Sequence, residues 1–282
     1  MRSLLSAGFV RLWKSRAFWL SCLFVMAATL MSIWTRYSDG LRFGYHSSLD
    51  TAFMYYVLFI AFLIPIVCTL LIGVEYADGT IRNKLVCGHS KPKLYLSNLI
   101  LCSVSSLVMC TFAVVPGLCM GLPLLGGFAM GRTRAILFFL GIYTLALAWT
   151  ALFTLIAMLV SNRTISVVAA MLLAMALLAA GAYLEGRLEA QPTIQGLVIT
   201  TVDSLTEITD TTAEEYPNPA YLPEGPVRNV FQFLSDLTPG GQTLQHVNQR
   251  ASRPEVLMLY DGLVFLLATG TGLLLFKRKD LK

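Results

Sequence analysis

The residues of this chain that could carry out acid–base, metal or redox chemistry are few and scattered. The three histidines are His46, His89 and His246, and no His-Glu-x-x-His sequence is present. The adjacent acids Glu214 and Glu215 lie in a long polar segment rather than in an apolar one. The six cysteines include no Cys-x-x-Cys pair, so metal and redox chemistry have no support. We therefore expect no catalysis and no cofactor in this chain.

Nucleotide hydrolysis and ion coupling also lack the residues that they require. The sequence has no Gly-x-x-x-x-Gly-Lys-Ser/Thr loop to cradle phosphates, so another subunit must supply any energy from ATP. Ion-coupled transporters place ionisable residues among broken membrane helices, and Asp261 is a candidate at the outer end of an apolar segment. We interpret Asp261 as a residue at the membrane interface near a helix start.

One segment, residues 73–93, has the pattern of a functional site. It reads GVEYADGTIRNKLVCGHSKPK. Asp78 or Thr80 can cap a short helix, which we place at about residues 76–88, and Gly88 can end it. A short helix parallel to a membrane is suited to contact a soluble partner, although a plain solvated connector fits the same pattern.

The residues of this short helix divide between two faces. Ile81 and Leu85 share one face, which we expect to be buried. Arg82 and Lys84 are expected to be exposed on the other face, where a partner would meet them.

Composition requires that membrane helices position this segment. The chain is 56% hydrophobic and only 13% charged, with a mean hydropathy of +0.68, whereas soluble domains carry about 25% charged residues. A water-exposed surface cannot be built from so few charges. Soluble, disordered and disulfide-stapled secreted proteins are therefore excluded, and we predict an all-α membrane protein.

Six apolar segments are long enough to cross a bilayer, which takes about 20 helical residues. They cover residues 17–34, 52–74, 94–122, 135–160, 165–184 and 257–276. We predict that residues 1–184 hold the first five spans, that residues 185–256 form a small extracellular cap, and that residues 257–282 form the sixth span and a tail.

The segment before the first span is amphipathic. Leu5, Phe9, Leu12 and Trp13 recur at helical spacing, while Arg11 and Lys14 point the other way. This pattern predicts an N-terminal helix that lies at the membrane interface, with a simple extension of the first span as the alternative.

Two elements are predicted within the cap. The β-branched run at residues 196–202 favours a strand. Val227, Val230, Phe231 and Leu234 share one face of a helix that we expect to end at the Pro-Gly-Gly sequence of residues 239–241.

The charges of the loops are distributed unevenly between the two sides of the membrane. With six spans, the termini, residues 75–93 and residues 161–164 share one side, which carries three acids (Glu75, Asp78 and Asp280) and thirteen basic residues. The positive-inside rule therefore places both termini in the cytoplasm of a cell-membrane protein. The net charge of +5 is explained by topology, and no nucleic-acid partner is expected.

The 73–93 segment resembles a known family. Glu75, Gly79, Thr80, Arg82 and Leu85, followed by Ser90 and Lys91, are similar to the Glu-x-x-x-Gly-Thr-Ile/Leu-Arg/Lys segment and following Ser-Arg/Lys of ABC-2 type transporter permeases. The six spans, the N-terminal helix, the outer segment and the lysine-rich ending are similar as well, so the resemblance covers the whole chain. Asn98 stands where family members often carry a basic residue.

The resemblance implies that this segment is a coupling helix seated in a cleft of a separate ATP-hydrolysing subunit. The implied contact residues are Glu75, Tyr76, Asp78, Gly79, Thr80, Arg82, Asn83, Lys84 and Leu85. Two permease chains, identical or homologous, would join an ATPase dimer that holds the ATP and Mg²⁺, and the complex would export a hydrophobic or amphipathic peptide, drug or lipid. The alternative is a non-transporting membrane receptor or scaffold whose acidic cap binds an extracellular ligand.

The predicted fifth span has small residues at helical spacing. Ala170, Ala174 and Gly181 would allow a second helix to approach closely. We predict that they form the seam between two permease chains, and packing against helices of the same chain is the alternative.

Overall fold

The computed structural model of the chain describes residues 2–44, 48–197 and 213–280. The helices in these ranges are α1 (Arg2–Lys14), α2 (Arg16–Phe43), α3 (Leu49–Phe53), α4 (Tyr56–Ala77), α5 (Thr80–Val86), α6 (Lys91–Leu125), α7 (Arg132–Leu159), α8 (Arg163–Glu189), α9 (Pro226–Leu237), α10 (Pro239–Val247) and α11 (Pro254–Arg278). Strands β1 (Thr193–Leu197) and β2 (Ala213–Pro217) form an antiparallel pair.

Within the residues that the structure describes, six helical segments are long and apolar enough to cross a membrane, and they confirm the predicted spans. They are Arg16–Phe43, Leu49–Ala77, Lys91–Leu125, Arg132–Leu159, Arg163–Glu189 and Pro254–Arg278. The first runs well past its predicted end at Trp34. Its 28 residues cover about 42 Å at the helical rise of 1.5 Å, which exceeds the hydrocarbon core, so its last turns can carry charged residues.

Both described ends of the chain meet at one end of the helix bundle, here named the α5 end. Arg11 of α1 contacts Glu75 at the end of α4, and Lys91 at the start of α6 contacts the carbonyl of Lys277. The opposite end, here named the α10 end, holds α3, α9, α10 and the β-hairpin. Between the ends, Trp149 and Phe153 of α7 stack with ring centroids 5.5 Å apart inside the main core.

The N-terminal helix α1 is separate from α2, so it does not extend the first span. Ser15 lies between the two helices in an extended conformation, and its hydroxyl accepts a hydrogen bond from the Phe18 amide at 3.4 Å. Leu4 and Leu12 are buried, while Trp13 is exposed. Arg11 was predicted on the face of α1 that points away from the apolar residues. Instead, its guanidinium group turns inward and pairs with Glu75.

The segment predicted as a cap belongs partly to the bundle. Helix α8 continues to Glu189, and β1 overlaps the predicted strand only at residues 196–197; residues 198–202 lie outside the described residues. Helix α9 is present, but it ends at Leu237. The Pro-Gly-Gly sequence that was expected to end α9 instead opens α10, because Thr238 caps that helix and Pro239 suits its first turn.

The small residues of α8 pack against the same chain. Ala170 and Ala174 are fully buried within the single chain, and Gly181 lies directly against Gly240 of α10. These three residues are therefore not available to a second permease in this arrangement. The prediction that Ala170, Ala174 and Gly181 form the permease seam is wrong, and the alternative of packing within the chain holds.

We expect Gly240→Ala to destabilise the protein, because a methyl group on Gly240 would overlap the carbonyl group of Leu177. Two helix backbones would have to separate, and overpacking of this kind costs about 1–3 kcal/mol or more. Gly186→Ala is the matched control, since a methyl group there meets nothing within 4 Å. The melting temperatures of the two variants are measured by using size-exclusion chromatography to monitor the loss of folded protein on heating. Equal melting temperatures would contradict the close packing.

Candidate functional site

The turn between α4 and α5 depends on a left-handed glycine. Gly79 has φ 64° and is the N-cap of α5. Neither Asp78 nor Thr80 caps the helix through its side chain, so that prediction is wrong. The Thr80 hydroxyl instead donates back to the carbonyl of Glu75 at 3.1 Å, which fastens the start of α5 to the end of α4.

A second glycine ends α5, as the sequence predicts. Gly88 has φ 86°, and its N–H donates to the carbonyl of Leu85 at 2.9 Å, while the N–H of His89 donates to the carbonyl of Lys84 at 3.2 Å. This pair of bonds is a Schellman motif. Helix α5 is shorter than predicted because residues 76–77 belong to α4 and residues 87–88 belong to this closing turn.

The side chain of Glu75 is the centre of the site. It is completely buried at the end of α4 and forms ion pairs with Arg11 of α1 and Lys84 of α5. Asn98 of α6 donates from its amide nitrogen to Glu75 Oε2 at 3.0 Å. One carboxylate thus joins four helices, and we name these four residues the Glu75 cluster.

The Glu75 cluster explains two features that the sequence left unresolved. Lys84 was predicted to be exposed, but its ammonium group turns inward to Glu75. The reason is that a buried carboxylate needs a cation to offset its lost hydration. Asn98, which differs from the basic residue common in similar proteins, supplies a neutral hydrogen-bond donor to the same carboxylate. Sequence analysis placed Glu75 and Lys84 in this site but did not place Arg11 and Asn98 there, because their residue types alone do not reveal a distant partner.

A second set of contacts fastens the end of α11 to the same region. Lys279 Nζ donates to the Tyr76 hydroxyl at 3.0 Å and to the carbonyl of Met158 at 3.1 Å. Lys91 Nζ donates to the carbonyl of Lys279 at 2.7 Å. Burial lowers the pKa of Lys279 to about 8, which leaves the ammonium group charged at neutral pH. We name this set the Lys279 clamp. Sequence analysis had named Tyr76 and Lys91 but not Lys279 or Met158.

The outer surface of α5 is open. Val86 is 88% exposed, and the neighbouring Arg82, Asn83 and Cys87 are exposed too. Ile81 is buried beneath them. A surface with an apolar centre and polar surroundings is typical of a protein contact site. We name Arg82, Asn83, Val86 and Cys87, together with the exposed Asp78, the α5 face.

Comparison with known proteins identifies the family. The sequence model of the family described as ABC-2 family transporter protein matches residues 4–181 of this chain. The chain belongs to this family. It is therefore a multi-pass permease subunit of an ABC transporter, and the receptor or scaffold alternative is set aside. No curated protein gives a match to this chain.

The structure divides the expected contact residues of the permease into three groups. Asp78, Arg82 and Asn83 lie on the exposed α5 face, where a partner can reach them. The half-buried residues are Gly79, Thr80, Lys84 and Leu85, and Tyr76 belongs to the Lys279 clamp. Glu75 is buried, so it cannot contact a partner directly. Val86 and Cys87 were not among the expected residues, although their position between Leu85 and the closing Gly88 could have suggested them.

Proposed function

We propose that this permease is the membrane part of an ATP-driven exporter and that an ATPase subunit binds the α5 face. The observation that carries the proposal is the position of the Glu75 cluster directly behind that face. The exposed side of α5 offers contact residues, and its buried side is joined by ion pairs and hydrogen bonds to three membrane-embedded or membrane-adjacent helices.

The contacts of α5 make it suited to move as a rigid lever. Lys84 fixes α5 to Glu75, and Thr80 fixes its first turn to the end of α4. A displacement of α5 would therefore reach α1 through Arg11 and α6 through Asn98. ATP binding would move α5 by closing the ATPase dimer, and the helices would shift between inward-open and outward-open arrangements.

The surface between the first two spans supports a hydrophobic or amphipathic cargo, such as a peptide, drug or lipid. An apolar groove of about 500 Å³ lies between α2 and α4 and is lined by Leu20, Ser21, Leu23, Phe24 and Leu63. Apart from Ser21, whose hydroxyl donates to the carbonyl of Ala17, this lining is apolar, which favours an apolar cargo over a sugar or an ion. Export, rather than import, is what the resemblance to ABC-2 permeases implies.

The orientation in the membrane follows from charge. We propose that the α5 end lies in the cytoplasm of a cell-membrane protein, because the basic residues concentrate there. In this orientation, α1 lies at the inner interface with Trp13 and Phe9 exposed toward lipid. The ATPase, which hydrolyses ATP in the cytoplasm, can then reach the α5 face.

The orientation predicts how Cys87 reacts in intact cells. A variant that retains Cys87 and lacks the other cysteines should not react with a membrane-impermeant maleimide until the cells are opened. In a cysteine-free background, Val227→Cys is the control, since Val227 is 57% exposed on α9 at the opposite end. Labelling of Cys87 from outside intact cells would show that the α5 end faces outward. It would then contradict the proposed binding of an ATPase to the α5 face.

Subunit counting tests the proposed assembly. We expect the permease to co-purify with a soluble ATPase in a complex of two permeases and two ATPases, which native mass spectrometry can count. The purified permease alone is expected neither to bind nor to hydrolyse ATP. A single permease chain that transports without any ATPase would contradict the proposal.

A further inference from the structure

Helix α1 carries an apolar groove with a basic residue at its rim. The groove has a volume of about 360 Å³ and is lined by Phe9, Val10, Trp13 and Lys14. Phe9 is 37% exposed, Val10 54% and Trp13 64%. Lys14 was predicted to point away from the apolar residues, but it lines the same groove and is exposed. An apolar ligand with a negatively charged end would therefore meet complementary groups here.

Packing against α6 and α2 holds the groove in place. A side-chain carbon on Gly8 would meet Leu101 of α6 at 3.5 Å, so α1 lies close to α6. The rings of Trp13 and Trp19 meet edge to face with centroids 5.1 Å apart, and Trp19 contacts Phe112 of α6 in the same way at 5.9 Å. The Trp19 indole N–H donates to the carbonyl of Trp13 at 2.8 Å. The groove is thus formed in the absence of a ligand.

The indole N–H of Trp13 is available to a ligand, because it has no hydrogen-bond acceptor among the residues that the structure describes. Tryptophan is enriched at membrane interfaces, where its ring packs against acyl chains and its N–H binds the polar groups above them. Trp13 can therefore donate to the ester oxygens of a lipid while its ring lines the groove.

The positive charge of α1 and of the start of α2 is not balanced within the chain. Arg2, Lys14 and Arg16 all precede the first acid of the sequence, Asp39. All three are exposed, and none of them forms an ion pair in residues 2–44, 48–197 and 213–280. Arg11 differs from them, since it belongs to the Glu75 cluster. The other cations can attract an anion from outside the chain.

The acids that could approach these cations are engaged or lie elsewhere. Glu75 is completely buried, and neither Asp78 nor Asp280 forms an ion pair with α1 in the described part of the chain. Asp261, which its place in the sequence put at the membrane interface, is instead 1% exposed at the α10 end and accepts a hydrogen bond from Thr144 at 2.8 Å. Among the described residues, no carboxylate lines the groove. The groove therefore offers no partner for the ammonium group of a zwitterionic lipid.

We propose that this α1 groove binds a phospholipid with a net negative headgroup. An acyl chain lies along Phe9, Val10 and Trp13, and the phosphate oxygens pair with the Lys14 ammonium group. One basic residue near an anionic membrane surface contributes about fivefold to binding, and Arg16 adds to the attraction. A zwitterionic phospholipid binds less well, because the groove attracts its phosphate but not its ammonium group. The site goes beyond the proposed function and requires neither an ATPase nor a particular orientation in the membrane.

The bound lipid holds α1 in the position that the Glu75 cluster requires. Arg11 and Lys14 are three residues apart on α1, with Arg11 turned inward to Glu75 and Lys14 exposed. A ligand that binds only the folded arrangement stabilises it. The melting temperature of the permease should therefore rise when an anionic lipid is present.

Native mass spectrometry of the permease, released from nanodiscs with equal amounts of phosphatidylglycerol and phosphatidylcholine, tests the site. We expect the wild type to retain phosphatidylglycerol in preference, and Lys14→Gln to lower the ratio of the two retained lipids about fivefold. Lys14→Arg should keep the wild-type ratio. Arg132→Gln is the matched control, since it removes an exposed basic residue at the start of α7, at the opposite end. All three substitutions are at exposed positions, so the variants should fold.

A photoactivatable phosphatidylglycerol locates the bound lipid. On illumination of the nanodiscs, it should attach to α1 of the wild type. Lys14→Gln should reduce this adduct, and Arg132→Gln should leave it unchanged. Phosphatidylglycerol should also raise the melting temperature of the wild type more than that of Lys14→Gln.

Three outcomes would overturn the lipid site. The first is equal retention of both lipids by the wild type or an unchanged ratio in Lys14→Gln, which would show that the groove does not select a negative headgroup. The second is a lipid photo-adduct confined to helices other than α1. The third is found in the intact transporter: a photoreactive phenylalanine analogue at Val10 that attaches to a second permease or a soluble subunit would show that a protein covers the groove.

Discussion

Replacing Glu75 by alanine is expected to abolish transport-coupled ATP turnover and to lower the melting temperature of the permease. The change leaves Arg11 and Lys84 facing each other in a partly buried space without their carboxylate. Removing one partner of a buried ion pair costs about 3–5 kcal/mol. We expect the lower end of that range, since the Arg11 and Lys84 side chains keep 26% and 22% exposure to solvent.

Two further variants serve as controls. One removes the charge of Glu75 and keeps its shape, and the other removes an acid elsewhere in the protein. Glu75→Gln keeps the shape and one acceptor oxygen, so its coupling and stability should fall between those of the wild type and Glu75→Ala. Glu224→Ala removes an exposed acid at the α10 end and should change neither property. Wild-type coupling in Glu75→Ala would show that the buried carboxylate transmits nothing.

A series of substitutions at Gly79 is expected to reduce coupled ATP turnover in the order asparagine, alanine, proline. A side-chain carbon on Gly79 meets nothing within 4 Å, so the effect comes from the backbone, which has φ 64°. Asparagine tolerates this left-handed conformation, whereas alanine adopts it at a cost of about 1–2 kcal/mol. Proline cannot adopt it, because its ring fixes φ near −65°. Proline also removes the N–H that donates to the carbonyl of Tyr76 at 3.2 Å.

The amount of permease in the membrane should stay constant across the Gly79 series, because α4 and α6 on either side keep their apolar sequences. Gly127→Ala is the matched control, since Gly127 has equal free space and no positive φ. Coupled turnover and membrane content are measured on the same preparations. A Gly79→Pro permease that couples like the wild type would show that the geometry of α5 is unimportant.

The membrane helices could be predicted from the sequence because the bilayer imposes a simple rule of length and polarity. Each of the six spans is an apolar run, and Gly88 ends α5 as its backbone preference predicts. The start of α5 at Gly79 was not predicted, because Asp78 and Thr80 offered capping side chains that the structure does not use. The residues at which each span begins and ends were predicted less accurately. A helix such as α2 can continue into water once the hydrocarbon thickness is covered, and hydropathy does not record where it stops.

The contacts between distant segments could not be predicted in this way. The partner of a buried carboxylate depends on tertiary packing, which is why Arg11 and Lys84 were expected in solvent although both turn toward Glu75. The same limit applies to α10. Its Gly240 suggests a helix end in sequence, yet close approach to α8 is what requires it.

The contact between the α5 face and an ATPase can be tested by photo-crosslinking from position 86. A photoreactive phenylalanine analogue replaces Val86, which is 88% exposed on the α5 face, and a control variant carries it at Val227 on α9. Illumination of membranes that contain the working transporter should join position 86, and not position 227, to a soluble ABC ATPase. A transporting complex in which position 86 forms no adduct with an ATPase would contradict the proposed coupling site.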